Sequence, residues 1–477
     1  MSKVATRFAP SPTGPLHIGG VRTALFNYLY AKKVGGQFLL RIEDTDQSRK
    51  VDNAVENLIS TFKKLNICYN EGPTQGGDSG PYFQSQRINI YNKYIDQLLK
   101  QGNAYPCFCS ADDLAAVRAA QATAKETIKY SRKCLKLNQK EVLEKMKLEK
   151  YVIRMKVPSE DKELVFFDMV RDRVAIKYNE IDDQVLIKSD GFPTYHFANV
   201  IDDYLMGITH VMRGEEWLPS TPKHVLLYQF FDWKLPKFIH LPLLLNSDKS
   251  KLSKRQGDVA VEDYLQKGFL PEALLNFVVL LGWHPKNEKE LFNIDELKKE
   301  FSIKRINKSG AVFDFEKLKW MNGQYIKSLP IDLIIKYVKP FFDKANLDIS
   351  DRDKLKKLVE SARERSATLQ DIVDYANPFY KDLQLTEEDI NYLKNPDSQN
   401  ILSYFYQEIL TSKKWTLDEF QLSINATSEK TNIKGKNLYS CLRLALLGSM
   451  HGPDIPLICN IIGPKNIAIR LKNNIFD

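Results

Sequence analysis

A histidine set among glycines, Gly14-Pro-Leu-His17-Ile-Gly19-Gly20, and a cationic run far along the chain, Lys251-Leu-Ser253-Lys254-Arg255, are the residues best suited to handle a polyphosphate. Glycines let a backbone approach a ligand closely. If a helix follows them, its free N–H groups and the positive end of its dipole favour phosphate. His17 adds a proton donor or a cation beside that point. Lysine and arginine on a loop can follow negative charge as it moves onto a departing group. Taken together the two segments read as a nucleotide-activating site. Taken singly, each also fits a plain turn or a solvated charged loop.

The elements that would position these residues follow from periodicity. Val4-Ala-Thr-Arg-Phe8 is an extended apolar run. Beyond the glycines Val21, Ala24, Leu25, Tyr28 and Leu29 recur at helical spacing, giving strand, glycine-rich loop, helix. Phe38-Leu-Leu-Arg-Ile-Glu43-Asp44 is a second strand that ends in carboxylates, where parallel sheets place their chemistry. Further strands are predicted at 208–213 and 238–245. Between them lies a helix bearing Val225, Leu226, Tyr228, Phe230 and Phe231, with a cap at Ser220 and a proline at 222. This alternation predicts an α/β fold with a doubly wound, Rossmann-like parallel sheet.

The sheet is split in sequence. Residues 106–195 hold a Lys-rich helical stretch at 136–150 and alternating runs such as 151–157, an inserted α+β module. From 262 onward strand signals fade, and helical patterns appear at 271–281, 331–346, 352–376 and 398–411, with soft linkers near 328–330 and 394–397. The expected units are 1–105 with 196–255, then 106–195, 256–325 and an all-α region at 326–477.

A chain of 477 residues exceeds the size at which one core stops growing, about 250–300 residues, so several units are expected. With 43% hydrophobic residues it has enough apolar material for real cores, and disorder is excluded as a general description. The formal charge of +9 suits a polyanionic partner without requiring one. No signal-peptide core or long apolar span is present, so a cytoplasmic protein with no membrane partner is expected. Six cysteines in so long a chain make no disulfide framework.

His17-Ile-Gly-Gly20 resembles the HIGH motif and Lys251-Leu-Ser-Lys-Arg255 the KMSKS motif of class I aminoacyl-tRNA synthetases. The flanking segments Thr6-Arg-Phe-Ala-Pro-Ser-Pro-Thr-Gly14, Arg41-Ile-Glu-Asp-Thr-Asp46, Gly191-Phe-Pro-Thr-Tyr-His-Phe-Ala-Asn199, Met212-Arg-Gly-Glu-Glu-Trp217 and Trp320-Met-Asn-Gly-Gln-Tyr325 resemble glutamyl-tRNA synthetases of the bacterial type. The similarity runs in order over nearly the whole chain. It implies activation of L-glutamate with ATP and Mg²⁺ and transfer to tRNA-Glu, with tRNA-Gln a second candidate, by a monomer. The inserted module would then be the connective, acceptor-binding domain, residues 256–325 a stem-contact region and the helical end an anticodon-binding region. That region is a β-barrel in archaeal-type glutamyl and in glutaminyl enzymes, which the helical pattern opposes.

A pocket for glutamate needs cations for carboxylates and an anion for the amine, and the planar fork of arginine suits a carboxylate best. The resemblance assigns Arg7, Arg213 and Tyr195 to the glutamate carboxylates and Glu43 to the α-amino group, with Ala9, Ser11 and Asn199 lining the site. It assigns His17, Lys251 and Lys254 to catalysis at the phosphates, and Gly14, Gly19, Gly20, Glu216, Leu244, Ser253 and Arg255 to ATP. Arg363 and Arg365 become anticodon candidates. Gly20 stands where related motifs often have a second histidine.

Cys107-Phe-Cys109 with Cys134 is similar to a zinc site of some family members, but the fourth position is Lys136, which cannot ligate when protonated. The thiols are therefore expected to pack as small hydrophobes rather than hold zinc. Three rivals to the main reading weaken on the sequence. Small adenylyltransferases are far shorter, enzymes that glutamylate a modified tRNA base lack a match to 326–477, and a non-catalytic tRNA binder would not need His17, Lys251 and Lys254. Because a cation that follows charge onto pyrophosphate acts mainly in the transition state, Lys254→Ala should slow ATP–pyrophosphate exchange by about 2–4 kcal/mol in barrier while ATP binding changes little. Exchange at near wild-type rate would remove the role given to residues 251–255.

Overall fold

The computed structural model describes residues 3–49, 51–126, 128–252, 260–411 and 415–476. Ser253, Lys254 and Arg255 lie outside the described residues. The chain divides into two compact units, residues 1–264 with 271–315, and residues 265–270 with 316–477.

In the first unit strand Ala5–Phe8 pairs in parallel with strand Gln37–Leu40, and Thr209, just before strand His210–Gly214, donates to the Ala5 carbonyl at 3.0 Å. His210–Gly214 pairs in parallel with Lys237–Leu241, which meets strand Glu163–Asp168 in parallel through the pair Asp168 and Phe238. All four residues of the first strand are buried, as in a sheet covered on both faces. Helix Ile18–Lys33 buries Val21, Ala24, Leu25, Tyr28 and Leu29 as its periodicity requires. It also buries Phe26, whose ring meets Phe301 edge-on at 5.0 Å, because further helices of the same unit cover its outer side.

Residues 104–187 make one sheet of their own and extend another. Strands Ala104–Cys107, Val152–Met155 and Val185–Ile187 form one antiparallel sheet, and the helix expected at 136–150 spans Gln139–Leu148. Strands Glu163–Asp168 and Asp172–Lys177 form a hairpin whose first strand extends the main parallel sheet. The strand expected over 238–245 is interrupted: it ends at Leu241, and after Pro242 a short strand, Leu244–Leu245, pairs elsewhere with Ala311–Val312. Proline lacks the N–H that a ladder needs. Helix Thr221–Phe230 has Pro222 in its first turn, but the Ser220 side chain makes no capping bond.

Among the described residues of 316–477 none lies in a strand, and helices run from Phe315–Ser328 to Pro464–Phe476. The amphipathic stretch read as one segment over 352–376 is two helices, Arg352–Arg363 and Leu369–Tyr380. The break has a local cause. Thr368 caps the second helix through the amide of Asp371, whose carboxylate returns to the Thr368 amide, a reciprocal box that fixes a helix start.

Candidate active site

The parallel strands of the first unit end at one edge, and Arg7, Arg213, His240 and Asp168 all sit at or next to those ends, with Glu43 three residues past its strand. Above this edge is a cavity of about 520 Å³. Of the residues singled out from sequence, Arg7, Ala9, Ser11, Glu43, Tyr195 and Arg213 line it, together with His17, Gly19, Gly20, Glu216, Leu244 and Lys251. Gly14 does not. It lines a neighbouring cavity of about 240 Å³ behind His17, where its φ of +136° suits glycine. Asn199 lies buried one helical turn beyond Tyr195, outside the cavity lining, and its Oδ1 has no hydrogen-bond partner among the described residues.

The cavity floor is a charged cluster. Asp203 accepts from Arg7 Nε at 2.9 Å and Arg41 Nη1 at 2.7 Å, and Arg41 Nη2 reaches Glu43 Oε1 at 3.0 Å. The adjacent Asp202 takes Arg87 Nε at 2.7 Å, Gln84 Nε2 at 2.8 Å and the Tyr91 hydroxyl at 2.9 Å. Asp203 is held below its ordinary pKa because its two guanidinium partners outweigh burial. Glu43 goes the other way. Burial, stronger than the pull of Arg41 and Arg7, pushes its carboxyl up from 4.5 to about 7. An added cation beside Glu43 would restore the carboxylate, which is what a ligand ammonium would do.

At a second side Arg213 donates to the Tyr195 hydroxyl at 3.1 Å, and the Tyr195 ring lies against Trp217 with centroids 4.2 Å apart. Tyr195 is raised above its ordinary pKa, chiefly by burial, so the hydroxyl keeps its proton. This region is cationic and rich in donors, suited to a second carboxylate.

At the opposite side His17 is the N-cap of the first helix, and its Nδ1 accepts from the Gly20 amide at 3.2 Å. The Gly20 N–H is thus engaged by His17. Gly19 and Gly20, which line the cavity, also have a steric role. A Cβ at Gly19 would come within 3.0 Å of the His17 ring, and one at Gly20 within 2.8 Å of Leu16. Lys251 follows a turn closed by a bond from the Asn246 amide to the Ser250 carbonyl at 2.8 Å, and forms a bridge with Leu245. Arg22, a cation the sequence reading did not single out, lines the same side and donates to the Leu281 carbonyl at 3.2 Å. Burial lowers it to about 10.

Away from the cavity, the sulfurs of Cys107, Cys109 and Cys134 lie within 4.8 Å of one another. The Tyr130 hydroxyl is 3.3 Å from Cys107 Sγ and 3.3 Å from Cys109 Sγ, while Lys136 is not part of the group. Three sulfurs and one phenol oxygen therefore converge, the number of donors that tetrahedral zinc takes, although burial raises the Tyr130 phenol and it would have to lose its proton to ligate. Tyr130 is not part of the Cys-x-Cys and Cys pattern, so the spacing of the cysteines does not point to it. In the second unit Arg363 is half-buried and donates to the Leu329 carbonyl at 3.3 Å, whereas Arg365 is exposed.

Residues 3–320 match the family described as tRNA synthetases class I (E and Q), catalytic domain, and residues 333–475 match the anticodon binding domain family. Over 99% of both chains the protein is 45% identical to the glutamate–tRNA ligase of Clostridioides difficile strain 630, and it is 44% identical, again over 99% of both, to that of Alkaliphilus metalliredigens. A crystal structure of a glutamate tRNA ligase from Elizabethkingia meningosepticum, in complex with its amino acid, superposes with a TM-score of 0.91 at 36% identity over 99% of each chain.

The raised Glu43 carboxyl gives a measurable pH dependence. Between about pH 4.5 and about pH 7 the folded protein holds one proton more at this position than the unfolded chain, so the Glu43 contribution to stability falls as pH rises through that window. Carboxyl NMR of ligand-free protein should show Glu43 titrating near pH 7. A midpoint in the ordinary glutamate range would mean that the arginines, not burial, control this group.

Proposed function

The chain belongs to the class I tRNA synthetases of the E and Q group, and from that premise we propose that it is a glutamate–tRNA ligase. The observation that carries the reading is one cavity with a buried carboxyl among guanidinium groups on one side and the capped helix start with Lys251 on the other. In the first step a carboxylate oxygen of L-glutamate attacks the α-phosphorus of ATP, the bond to pyrophosphate breaks, and glutamyl-adenylate forms. In the second a ribose hydroxyl of the tRNA 3′ end attacks the acyl carbon and AMP leaves. No side-chain nucleophile is needed, so catalysis consists of placement and of charge stabilisation on the phosphates. Arg213 and Tyr195 hold the side-chain carboxylate, Arg7 and Glu43 the α-carboxylate and ammonium, His17 and Lys251 the triphosphate. Mg²⁺ accompanies ATP.

Residues 106–195 and 256–325 serve the acceptor and stem of tRNA in this reading, and 326–477 the anticodon, with the exposed Arg365 a better reader than the engaged Arg363. In this reading the protein acts in the cytoplasm as a monomer, as the family resemblance implies; no helix among the described residues is long and apolar enough to cross a membrane. We also propose that Cys107, Cys109, Cys134 and Tyr130 hold a structural zinc, because the phenol supplies the fourth donor that Lys136 cannot.

Purified protein with ATP and glutamate should charge tRNA-Glu, and the same assay on tRNA-Gln reads its breadth; absence of glutamyl-tRNA with either would sink the assignment. For the cysteine cluster, elemental analysis of protein purified without chelator should find about one zinc per chain, lost on Cys109→Ser. Metal-free protein would return the thiols to a packing role.

A further inference from the structure

The Arg213 guanidinium is fastened from three sides by residues that no ligand in the cavity reaches. Its Nε donates to His240 Nε2 at 3.2 Å, its Nη2 to Thr221 Oγ1 at 2.9 Å, and the same Nη2 lies 3.1 Å from His224 Nδ1. Arginine only donates, so both imidazoles must accept, and each must carry its proton on the other nitrogen. Those nitrogens have fitting partners. His240 Nδ1 is 2.7 Å from Asp168 Oδ2, and His224 Nε2 is 3.0 Å from His196 Nδ1. Asp168 is itself pinned, its Oδ1 accepting from the amides of Val170 at 2.9 Å and Arg171 at 2.8 Å. A line of contacts thus runs from Asp168 through His240, Arg213 and His224 to His196.

We propose that His240 and His224 are positioning residues that set this pocket's choice of a side-chain carboxylate over the matching amide. The inference rests on reading the cavity as a glutamate pocket. With Nε and both Nη2 hydrogens taken, Arg213 turns only Nη1 toward the cavity. One Nη1 hydrogen goes to the Tyr195 oxygen at 3.1 Å, so the Tyr195 hydroxyl must donate its own hydrogen elsewhere. With the tyrosine hydrogen turned to the cavity rather than to the Asn199 side chain beside it, the ligand meets two donors, the second Nη1 hydrogen and the tyrosine O–H. A carboxylate accepts both. The amide of glutamine would set an NH₂ against a donor, and a buried pair of donors goes unsatisfied. Without acceptors behind it Arg213 could turn, Tyr195 could accept, and the discrimination would fade. Burial and the neighbouring Arg213 charge keep His224 far below its ordinary pKa, and burial lowers His240, in keeping with two neutral imidazoles.

The test uses the full-length protein in ATP–pyrophosphate exchange with tRNA present, offering glutamate or glutamine. His240→Phe should raise the glutamate KM and reduce the preference for glutamate over glutamine, each by about tenfold or more, with the ATP KM near wild type. His240→Gln, which retains an acceptor toward Arg213, should recover most of both. An unchanged preference, or a loss shared equally by glutamate and ATP, overturns the proposal. Should His240→Phe fail to fold, nitrogen NMR of the wild-type histidines decides: His240 protonated on Nδ1 and His224 on Nε2 supports it, and the reverse tautomer or an imidazolium at either overturns it. Wild-type protein that activates no glutamate would overturn the functional reading instead, while the tautomers still report on the histidines.

Discussion

Two neighbouring carboxylates, Asp202 and Asp203 on helix Tyr195–Leu205, hold together the part of the first unit on which the site depends. Guanidinium groups cannot shed their charge by losing a proton, so the buried arginines of this cluster, Arg7, Arg41 and Arg87, are each held by a counter-ion. Asp203 serves Arg7 from the first strand and Arg41 from just past the second, and Asp202 serves Arg87 from the turn before helix Ile88–Lys100. Removing either aspartate would leave an uncompensated buried cation, a defect of about 3–5 kcal/mol in other proteins. The same pair leaves Glu43 as the third carboxylate for three arginines, close enough to balance the charge when ionised and buried enough to resist ionising.

Much of this was legible in the sequence, because it is local. Alternation of apolar runs with helical periodicity predicts the strand, glycine turn and helix at the start of the chain, and a parallel strand ending in carboxylates points to Glu43, while the roles of Arg7 and Arg213 came only with the family resemblance. What escaped is what only three dimensions join. Asp203 lies far in sequence from Arg7, and His240, His224 and Asp168 come from a strand, a helix and a hairpin that meet only in the folded sheet. Nothing in the spacing of Tyr130 relative to the cysteines singled it out. Gly19 and Gly20 line the cavity, and the room they leave for His17 and Leu16 could not be read from the motif.

Where local reading failed outright, a competing local rule won. Pro242 ends a strand that its apolar pattern would continue, and the box between Thr368 and Asp371 starts a second helix inside one amphipathic run. At Ser220 a residue of good capping type is idle, because its backbone is already helical and its side chain cannot reach the exposed amides.

The hairpin that begins at Glu163 belongs by sequence to the inserted segment, yet its strand completes the sheet edge and its last residue, Asp168, stands behind His240 and so behind Arg213. A segment 106–195 read as an insertion would therefore not be a cassette. Swapping it between relatives would carry away a support of the amino-acid pocket along with whatever the segment does for its own partner, so the two have to be inherited and diversified together.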